Sequence, residues 1–186
     1  EMAVIAGVSQ EDIAERFVSA LGTTNTKKWT PEKQEEAFKK VYSSLKPHGV
    51  FNGVDLETNG MHPMKGKIIE FGGVGYDMDS GEETTRLGKL YNPGKTSMRM
   101  QSTGREDVHH ISPDMVENED ELDDVRQKEI LDYMTSNGPI VAHNASFEKG
   151  WLRGHIKGYA EAEARGDITY VDTMKLTSQT TNTDRN

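Results

Sequence analysis

Cysteine is absent from the sequence, long apolar runs are missing, and basic residues are fewer than acidic ones, 22 against 31. Without cysteine the chain forms neither a disulfide framework nor a thiolate zinc site, so carboxylates and six histidines are the candidate metal ligands. A reducing, cytoplasmic setting is therefore expected. No run approaches the roughly 18 apolar residues of a membrane span, and the N-terminus lacks a charged-then-apolar signal pattern, so no membrane partner is predicted.

The formal net charge of −9 excludes one class of nucleic-acid-binding protein. Coating duplex DNA with a broad cationic face requires many lysines and arginines to neutralise phosphates. An enzyme that grips a strand end through metal ions stays compatible with this charge, because the ions supply the positive charge. With 186 residues, 33% of them hydrophobic, the chain builds one core with an appendage and is too short for two full domains.

The first 47 residues have the pattern of a helical appendage. Ser9 and Asp12 resemble a capping box, and apolar residues then recur at helical spacing until a glycine. A second helix begins with Thr30 and Pro31 and carries apolar residues along one face. We predict that residues 1–47 are an N-terminal helical extension that packs against the main domain.

From residue 48 the pattern changes to strands, and then to strands that alternate with helices. The predicted strands are 50–57, 67–77, 84–92, 139–143 and 168–172, and the predicted helices begin at 113, within the acidic segment 117–124, and at 144. The first three strands are compatible with an antiparallel meander, whereas alternation with helices implies parallel pairing. We therefore predict an α/β domain over residues 48–186, a mixed β-sheet flanked by helices, with one helix running from 144 to 165.

Two acidic residues, Asp55 and Glu57, lie at the end of the first strand. Side chains alternate between the faces of a strand, so these two project from one face about 7 Å apart. Like charges held beside a core require a partner or a metal ion. Taken alone, this pair is more often an ordinary pair of rim carboxylates.

A third carboxylate follows the strand that ends at Ala142, in the stretch IVAHNASFEKGWL. The chain turns there into a helix whose first turns carry Glu148. Ligands of open α/β sheets collect beside the carboxyl ends of strands. If this strand lies next to the first one, Glu148 meets Asp55 and Glu57 around one point. Such a cluster suits Mg²⁺ or Mn²⁺ rather than zinc.

These stretches resemble the motifs of the DnaQ-like 3′-5′ exonucleases of the DEDD superfamily, which include the proofreading (epsilon) subunit of bacterial DNA polymerase III and RNase T. VDLETNGMHPMKGKIIEFGGVGYD resembles the first motif and its following strand, IVAHNASFE the second motif, and YVDTMKL the strand before the third. VHHISPDMV resembles an intervening Val-His-Gly-Ile segment, with His110 where glycine is usual. The resemblance covers about residues 48–180 and implies an RNase H-like fold.

The resemblance also implies the roles of individual residues. Asp55 and Glu57 would be catalytic metal ligands, and Glu148 would take the place of a third acidic ligand that is usually aspartate. Other residues would receive the terminal nucleotide at the substrate-binding site, namely Thr58, Asn59, Gly60, Met61, His143 and Asn144. Two ions, Mg²⁺ or Mn²⁺, would activate a water and stabilise the leaving 3′ oxygen.

The implied function is a metal-dependent 3′-5′ exonuclease that acts on single-stranded DNA 3′ ends, with proofreading beside a DNA polymerase as one role in replication or repair. An RNA-trimming exoribonuclease and a degenerate nuclease fold kept as a binding module both stay open as alternatives. The sequence does not decide whether the substrate is DNA or RNA, because no short motif shows whether the cleft accommodates the 2′-hydroxyl of a ribose.

The third motif of the family, His-x-x-x-x-Asp, is not found after the YVDTMKL strand. We therefore expect the general-base histidine and the fourth carboxylate to lie beyond Asn186. Two other pairs have the same spacing between a histidine and an acidic residue as this motif, namely His109 with Asp114 and His143 with Glu148. We interpret both as coincidence. The sequence also predicts that Asp172 is structural, that His155 lies on the surface, and that Trp151 lies in the core or an interface.

Overall fold

The computed structural model describes residues 8–45, 47–94, 103 and 106–176. The helices are α1 (Gln10–Leu21), α2 (Pro31–Ser44), α3 (Glu106–His109), α4 (Pro113–Val116), α5 (Asp124–Met134), α6 (Ala145–His155) and α7 (Tyr159–Arg165). The strands are β1 (Val50–Thr58), β2 (Ile68–Asp77), β3 (Glu82–Leu90), β4 (Ile140–Ala142) and β5 (Tyr170–Asp172). Among the residues covered by these ranges, no helix combines the length and apolar character needed to span a membrane.

The predicted N-terminal helices are confirmed as α1 and α2, which pack against each other. The Ser9 hydroxyl accepts the Asp12 N–H at 3.0 Å, and the Asp12 carboxylate accepts the Ser9 N–H at 3.3 Å, which completes the capping box. Gly22 ends α1 with a φ of 68°, a left-handed conformation that glycine adopts without strain. The Phe17 and Trp29 rings meet edge to face at 6.3 Å.

The five strands form one mixed sheet in the order β3-β2-β1-β4-β5. β1, β2 and β3 pair as the predicted antiparallel meander, whereas β4 pairs with β1 and β5 pairs with β4 in parallel. The predicted mixed sheet flanked by helices is therefore confirmed. β4 lies directly beside β1, which is the arrangement that the predicted meeting of Glu148 and Asp55 requires.

The main core lies on one face of the sheet, where residues of α5, α6 and α7 pack against β1. Val54 and Leu56 of β1 point into this core, and Trp151 of α6 is 1% exposed, so its predicted core position is confirmed. Since side chains alternate along a strand, Asp55 and Glu57 project from the opposite face. The core thus fixes which face of β1 carries the acidic residues.

The predicted single helix over 144–165 is wrong, because the chain forms two helices there. α6 ends at His155 and α7 begins at Tyr159. Between them Gly158 has a φ of 81°, and a Cβ at this position would lie 3.1 Å from the Leu131 side chain. The left-handed residue and the close approach to α5 together redirect the chain.

The predicted start of a helix within the acidic segment 117–124 is confirmed, because α5 begins at Asp124. The Asp123 carboxylate accepts the N–H groups of Val125 and Arg126 at 3.1 and 3.0 Å. These bonds satisfy the free amides at the start of α5 and make Asp123 the N-cap. The preceding acidic residues therefore lie in the loop that leads to the helix.

Candidate active site

The predicted pair of carboxylates on β1 has a third neighbour on the adjacent strand. Asp55 is exposed and Glu57 partly buried, and the pairing register places Glu70 of β2 opposite Glu57. Burial and then the charges of Asp55 and Glu70 raise the pKa of Glu57. Burial and then Asp55 raise the pKa of Glu70. The sequence reasoning missed Glu70, which only the register of β1 and β2 brings to the site.

Asp55 and Glu70 line an open groove of 580 Å³ on this face of the sheet. Gly72, which pairs with Asp55 across the two strands, contributes to the lining without a side chain. At the end of β4 the groove is bounded by His143 and Thr173, and His143 Nδ1 lies 3.1 Å from Thr173 Oγ1. The groove therefore joins Asp55 of β1 and Glu70 of β2 to His143, one of the predicted substrate-binding residues.

Glu148 lies in the first turn of α6 and is only 2% exposed. Its Oε2 is buried and has no hydrogen-bond partner among the described residues. Burial, and then the charges of Asp55 and Asp172, raise the pKa of Glu148 to about 7. A buried carboxylate with an unpartnered oxygen beside two other acidic groups is electrostatically costly. A bound cation would lower that cost.

Asp172, at the end of β5, holds the turn that leads from β4 into α6. Its Oδ1 accepts the N–H groups of Asn144 and Met174 at 3.2 and 3.1 Å, so the prediction that it bonds to nearby backbone is confirmed. Asn144 has a φ of 69°, a strained conformation that this bond helps to fix. Within the described parts of the chain, the buried Asp172 Oδ2 has no hydrogen-bond partner. The sequence did not reveal that Asp172 is also a charged neighbour of Glu148.

The predicted nucleotide-binding residues after β1 form a closed loop. Thr58 Oγ1 donates to the Gly60 carbonyl at 2.9 Å. Asn59 Oδ1 accepts the Lys67 N–H at 2.6 Å, and the Asn59 N–H donates to the Lys67 carbonyl at 3.0 Å. Met61 lies in this loop with 67% of its surface exposed. The loop thus presents an apolar side chain next to the end of β1.

Comparison with known proteins shows to which family this arrangement belongs. A family model described as Exonuclease matches residues 53–186. The chain is a member of the exonuclease family. Its DnaQ-like relatives include a PolC-type DNA polymerase III from Thermotoga petrophila, 30% identical over 135 residues, which are 73% of this chain and 9% of the relative. A second, from Listeria innocua, is 30% identical over 124 residues, or 66% of this chain and 8% of the relative. The exonuclease-family chain therefore spans less than a tenth of these relatives.

Solved exonuclease structures share the fold of this exonuclease-family chain. Escherichia coli exonuclease I in complex with a dT13 oligonucleotide aligns with a TM-score of 0.50 and 16% identity, over 70% of this chain and 29% of that one. Exonuclease I from Methylocaldum szegediense aligns with a TM-score of 0.51 and 16% identity, over 69% of this chain and 28% of that one. The predicted RNase H-like architecture is thereby confirmed.

The oxygen donors of this exonuclease-family site are of the chemical type that a hard divalent cation prefers. Their spacing is wider than that of ligands around one ion. Within the described parts of the chain, no three aspartate, glutamate or histidine side chains come close enough together to hold a metal ion. Asp55 interacts electrostatically with Glu57, Glu70 and Glu148, and the unpartnered oxygen of Glu148 is a free acceptor. Oxygen donors of this kind suit Mg²⁺ or Mn²⁺. Ligation by Asp55, Glu57 and Glu148 stays a prediction.

The histidines of the segment that resembles Val-His-Gly-Ile have local roles. His109 Nδ1 accepts the Ile111 N–H at 3.0 Å, which ties this ring to its own backbone. His110 has a φ of 59°, a left-handed conformation that glycine adopts more readily than histidine. Residues 177–186 lie outside the described residues.

Proposed function

We propose that the chain is a metal-dependent 3′-5′ exonuclease that hydrolyses the terminal phosphodiester of single-stranded DNA. One observation carries the proposal: in an exonuclease-family fold, the buried Glu148 has an oxygen without a hydrogen-bond partner among the described residues, and the charge of Asp55 acts on this carboxyl group. Asp55, Glu57 and Glu148 are the proposed catalytic residues and metal ligands. Ligands of α/β sheets bind beside the carboxyl ends of strands, which is where β1 and β4 bring these residues.

The cofactor of the proposed reaction is a pair of Mg²⁺ or Mn²⁺ ions. When bound, they supply Lewis-acid chemistry, which makes a water a stronger nucleophile and offsets charge on the leaving oxygen. The three carboxylates would hold and orient this pair. The ions would also supply positive charge for binding a phosphodiester to a chain of net charge −9.

The terminal nucleotide is proposed to bind against the loop after β1 and the turn after β4. The beginning of this loop is closed by the hydrogen bonds of Thr58 with Gly60 and of Asn59 with Lys67. The exposed Met61 offers an apolar surface to the base. We propose that His143 and Asn144 contribute to the same binding site from the β4–α6 turn, where Thr173 contacts His143 and Asp172 accepts the Asn144 N–H. The arrangement receives a single strand because an apolar side chain packs against an unstacked base.

The relatives support DNA as the substrate and a polymerase as the partner. Both PolC-type relatives are DNA polymerases, and one structural neighbour is an exonuclease I bound to a dT13 oligonucleotide. We propose on this basis that the chain removes nucleotides from DNA ends beside a DNA polymerase, as a proofreading activity in a cytoplasmic setting.

Digestion of matched strands tests the proposal directly. DNA and RNA oligonucleotides of one sequence, labelled at the 5′ end, are incubated with the full-length protein in Mn²⁺ or in EDTA. We expect stepwise shortening of the DNA that requires Mn²⁺. Faster shortening of the RNA would replace the DNA proposal with RNA trimming. Stoichiometric binding of either strand without any shortening would identify a binding module instead of an enzyme.

Replacing Glu148 with aspartate is expected to preserve activity within about tenfold, because the carboxylate and its charge are kept and only one methylene is lost. Glu148→Gln, which keeps the size but removes the charge, is the matched control and should lose Mn²⁺ affinity. Single-turnover digestion and Mn²⁺ titration by electron paramagnetic resonance measure both variants. If the aspartate variant fails as completely as the glutamine variant, the length of Glu148 is itself required.

A further inference from the structure

The loop between β1 and β2, residues 59–67, rests on α6 through a histidine that the sequence placed on the surface. His155 is instead half-buried, and its ring stacks on Trp151 with centroids 5.3 Å apart. Its Nδ1 lies 3.1 Å from the Trp151 carbonyl, and its Nε2 lies 3.1 Å from the Gly66 carbonyl of the loop. The prediction of a surface histidine is therefore wrong, because the loop folds back over the end of α6 and covers the ring.

The surface of α6 that faces this loop is shaped by two glycines one turn apart. A Cβ on Gly154 would lie 3.3 Å from Pro63 Cβ, and a Cβ on Gly150 would lie 3.9 Å from Pro63 Cγ. Glycine destabilises a helix interior relative to alanine, so two glycines on one face need a packing reason. The close approach of Pro63 supplies that reason at Gly154, whereas a Cβ on Gly150 would make an ordinary contact with Pro63.

The loop is also fixed at its base and at its far end. Its base is closed by the two hydrogen bonds between Asn59 and Lys67. At Gly66 a Cβ would lie only 2.7 Å from the Trp151 ring and 3.1 Å from Asn59 Oδ1, so only glycine lets the loop approach α6 this closely. Together with the contact of Pro63, these restraints leave the exposed Met61 on a loop that is anchored on both sides.

We propose that His155 is a positioning residue that locks this loop to α6 and thereby sets the distance between the terminal nucleotide and the metal ligands. The inference rests on the proposed function, since α6 carries Glu148 in its first turn and His155 in its last. In the tautomer that carries its hydrogen on Nε2, His155 donates to the Gly66 carbonyl and keeps Asn59 and Met61 at one place relative to Glu148. A loop held in advance loses less conformational freedom when a strand end binds.

His155→Ala tests the proposal, with His155→Gln as the conservative variant and His48→Ala as the matched control. A glutamine amide donates to the Gly66 carbonyl but does not stack on Trp151. His48 is an exposed histidine that binds Asp79 away from the loop. The probes are Mn²⁺ alone and a labelled oligothymidylate whose 3′-terminal linkage is a phosphorothioate, which slows cleavage during the binding measurement.

His155→Ala is expected to weaken oligothymidylate binding about 2- to 12-fold, the range that one net hydrogen bond contributes. Mn²⁺ affinity should stay within twofold, and His155→Gln should recover part of the oligonucleotide affinity. His48→Ala should match the wild type in both titrations. Unchanged oligonucleotide affinity in His155→Ala would overturn the proposal, and so would a parallel loss of Mn²⁺ affinity, because that result indicates disruption of the whole helix.

Hydrogen exchange separates this inference from the proposed function. In the protein free of metal and nucleic acid, His155→Ala should speed exchange of the Lys65, Gly66 and Lys67 amides about 2- to 12-fold and leave the amides of α5 unchanged. If the amides of the loop exchange at the same rate in both proteins, His155 does not hold the loop to α6, whatever the protein binds. If the wild type binds no oligonucleotide while the amide exchange of the loop responds as expected, the proposed function fails. The attachment of the loop to α6 by His155 is then supported without a role in substrate binding.

Discussion

Replacing Asp55 with alanine lowers Mn²⁺-dependent shortening of a DNA strand by at least about 10²-fold. A catalytic metal ion contributes several kcal/mol of transition-state stabilisation, and about 1.4 kcal/mol corresponds to a tenfold change in rate. Asp55 is the residue whose charge acts on Glu57, Glu70 and Glu148, so its loss removes the common neighbour of the cluster. Single-turnover digestion of a labelled strand at saturating Mn²⁺ measures the loss.

The same substitution should leave the metal-free protein at least as stable as the wild type. Without an ion the carboxylates repel one another, and removing one of them relieves that repulsion. Glu57→Ala should behave in the same way, whereas Asp132→Ala removes an exposed carboxylate of α5 and serves as the control. Thermal unfolding in EDTA checks the stability. A clear loss of metal-free stability together with unchanged Mn²⁺ affinity would assign Asp55 a structural role instead.

Replacing Trp151 with alanine is expected to lower the free energy of unfolding by about 3–5 kcal/mol, as is typical for deletion of a large buried aromatic side chain. Trp151 is 1% exposed and contacts the Phe147 ring, the His155 ring and the backbone at Gly66. In a chain of this size, the midpoint of thermal unfolding should fall by about 6–20 °C. Calorimetry and urea denaturation measure the two quantities.

Val125→Ala is the control for this stability loss, because Val125 lies on α5 with 60% of its surface exposed. Exposed substitutions of this kind usually change stability by about 0.5 kcal/mol or less. A Trp151 variant that unfolds at the same temperature as the Val125 variant would show that α6 and the loop do not pack as described. A large loss in the Trp151 variant alone supports the packing on which the position of Glu148 depends.

Much of the fold could be predicted from local patterns along the chain. The capping box at Ser9, the β1–β2–β3 meander and the helix start at Pro113 each depend on residues close together in sequence, and each prediction is confirmed. The break between α6 and α7 could not be predicted, because its cause is the approach of Gly158 to Leu131 on another helix. Helical periodicity alone continues through that position.

The residues of the candidate site also fall into those that local patterns predict and those that they do not. Asp55 and Glu57 were found because alternation along a strand places them on one face, and Glu148 because it follows a strand end within a recognisable motif. Glu70 was missed because an isolated glutamate in a strand has no special pattern, and only the register of β1 with β2 puts it opposite Glu57.

The sequence by itself determined the periodicities of the strands and helices, the acidic residues at the end of β1 and the motif around Glu148, because these features are encoded within a few residues of one another. Only the tertiary structure decided which distant side chains share a site. Asp172 reaches Glu148 through parallel pairing of β4 with β5, and His155 reaches Gly66 through the return of the loop over α6. Such contacts depend on strand order, register and packing, which arise when separate segments bury a common core.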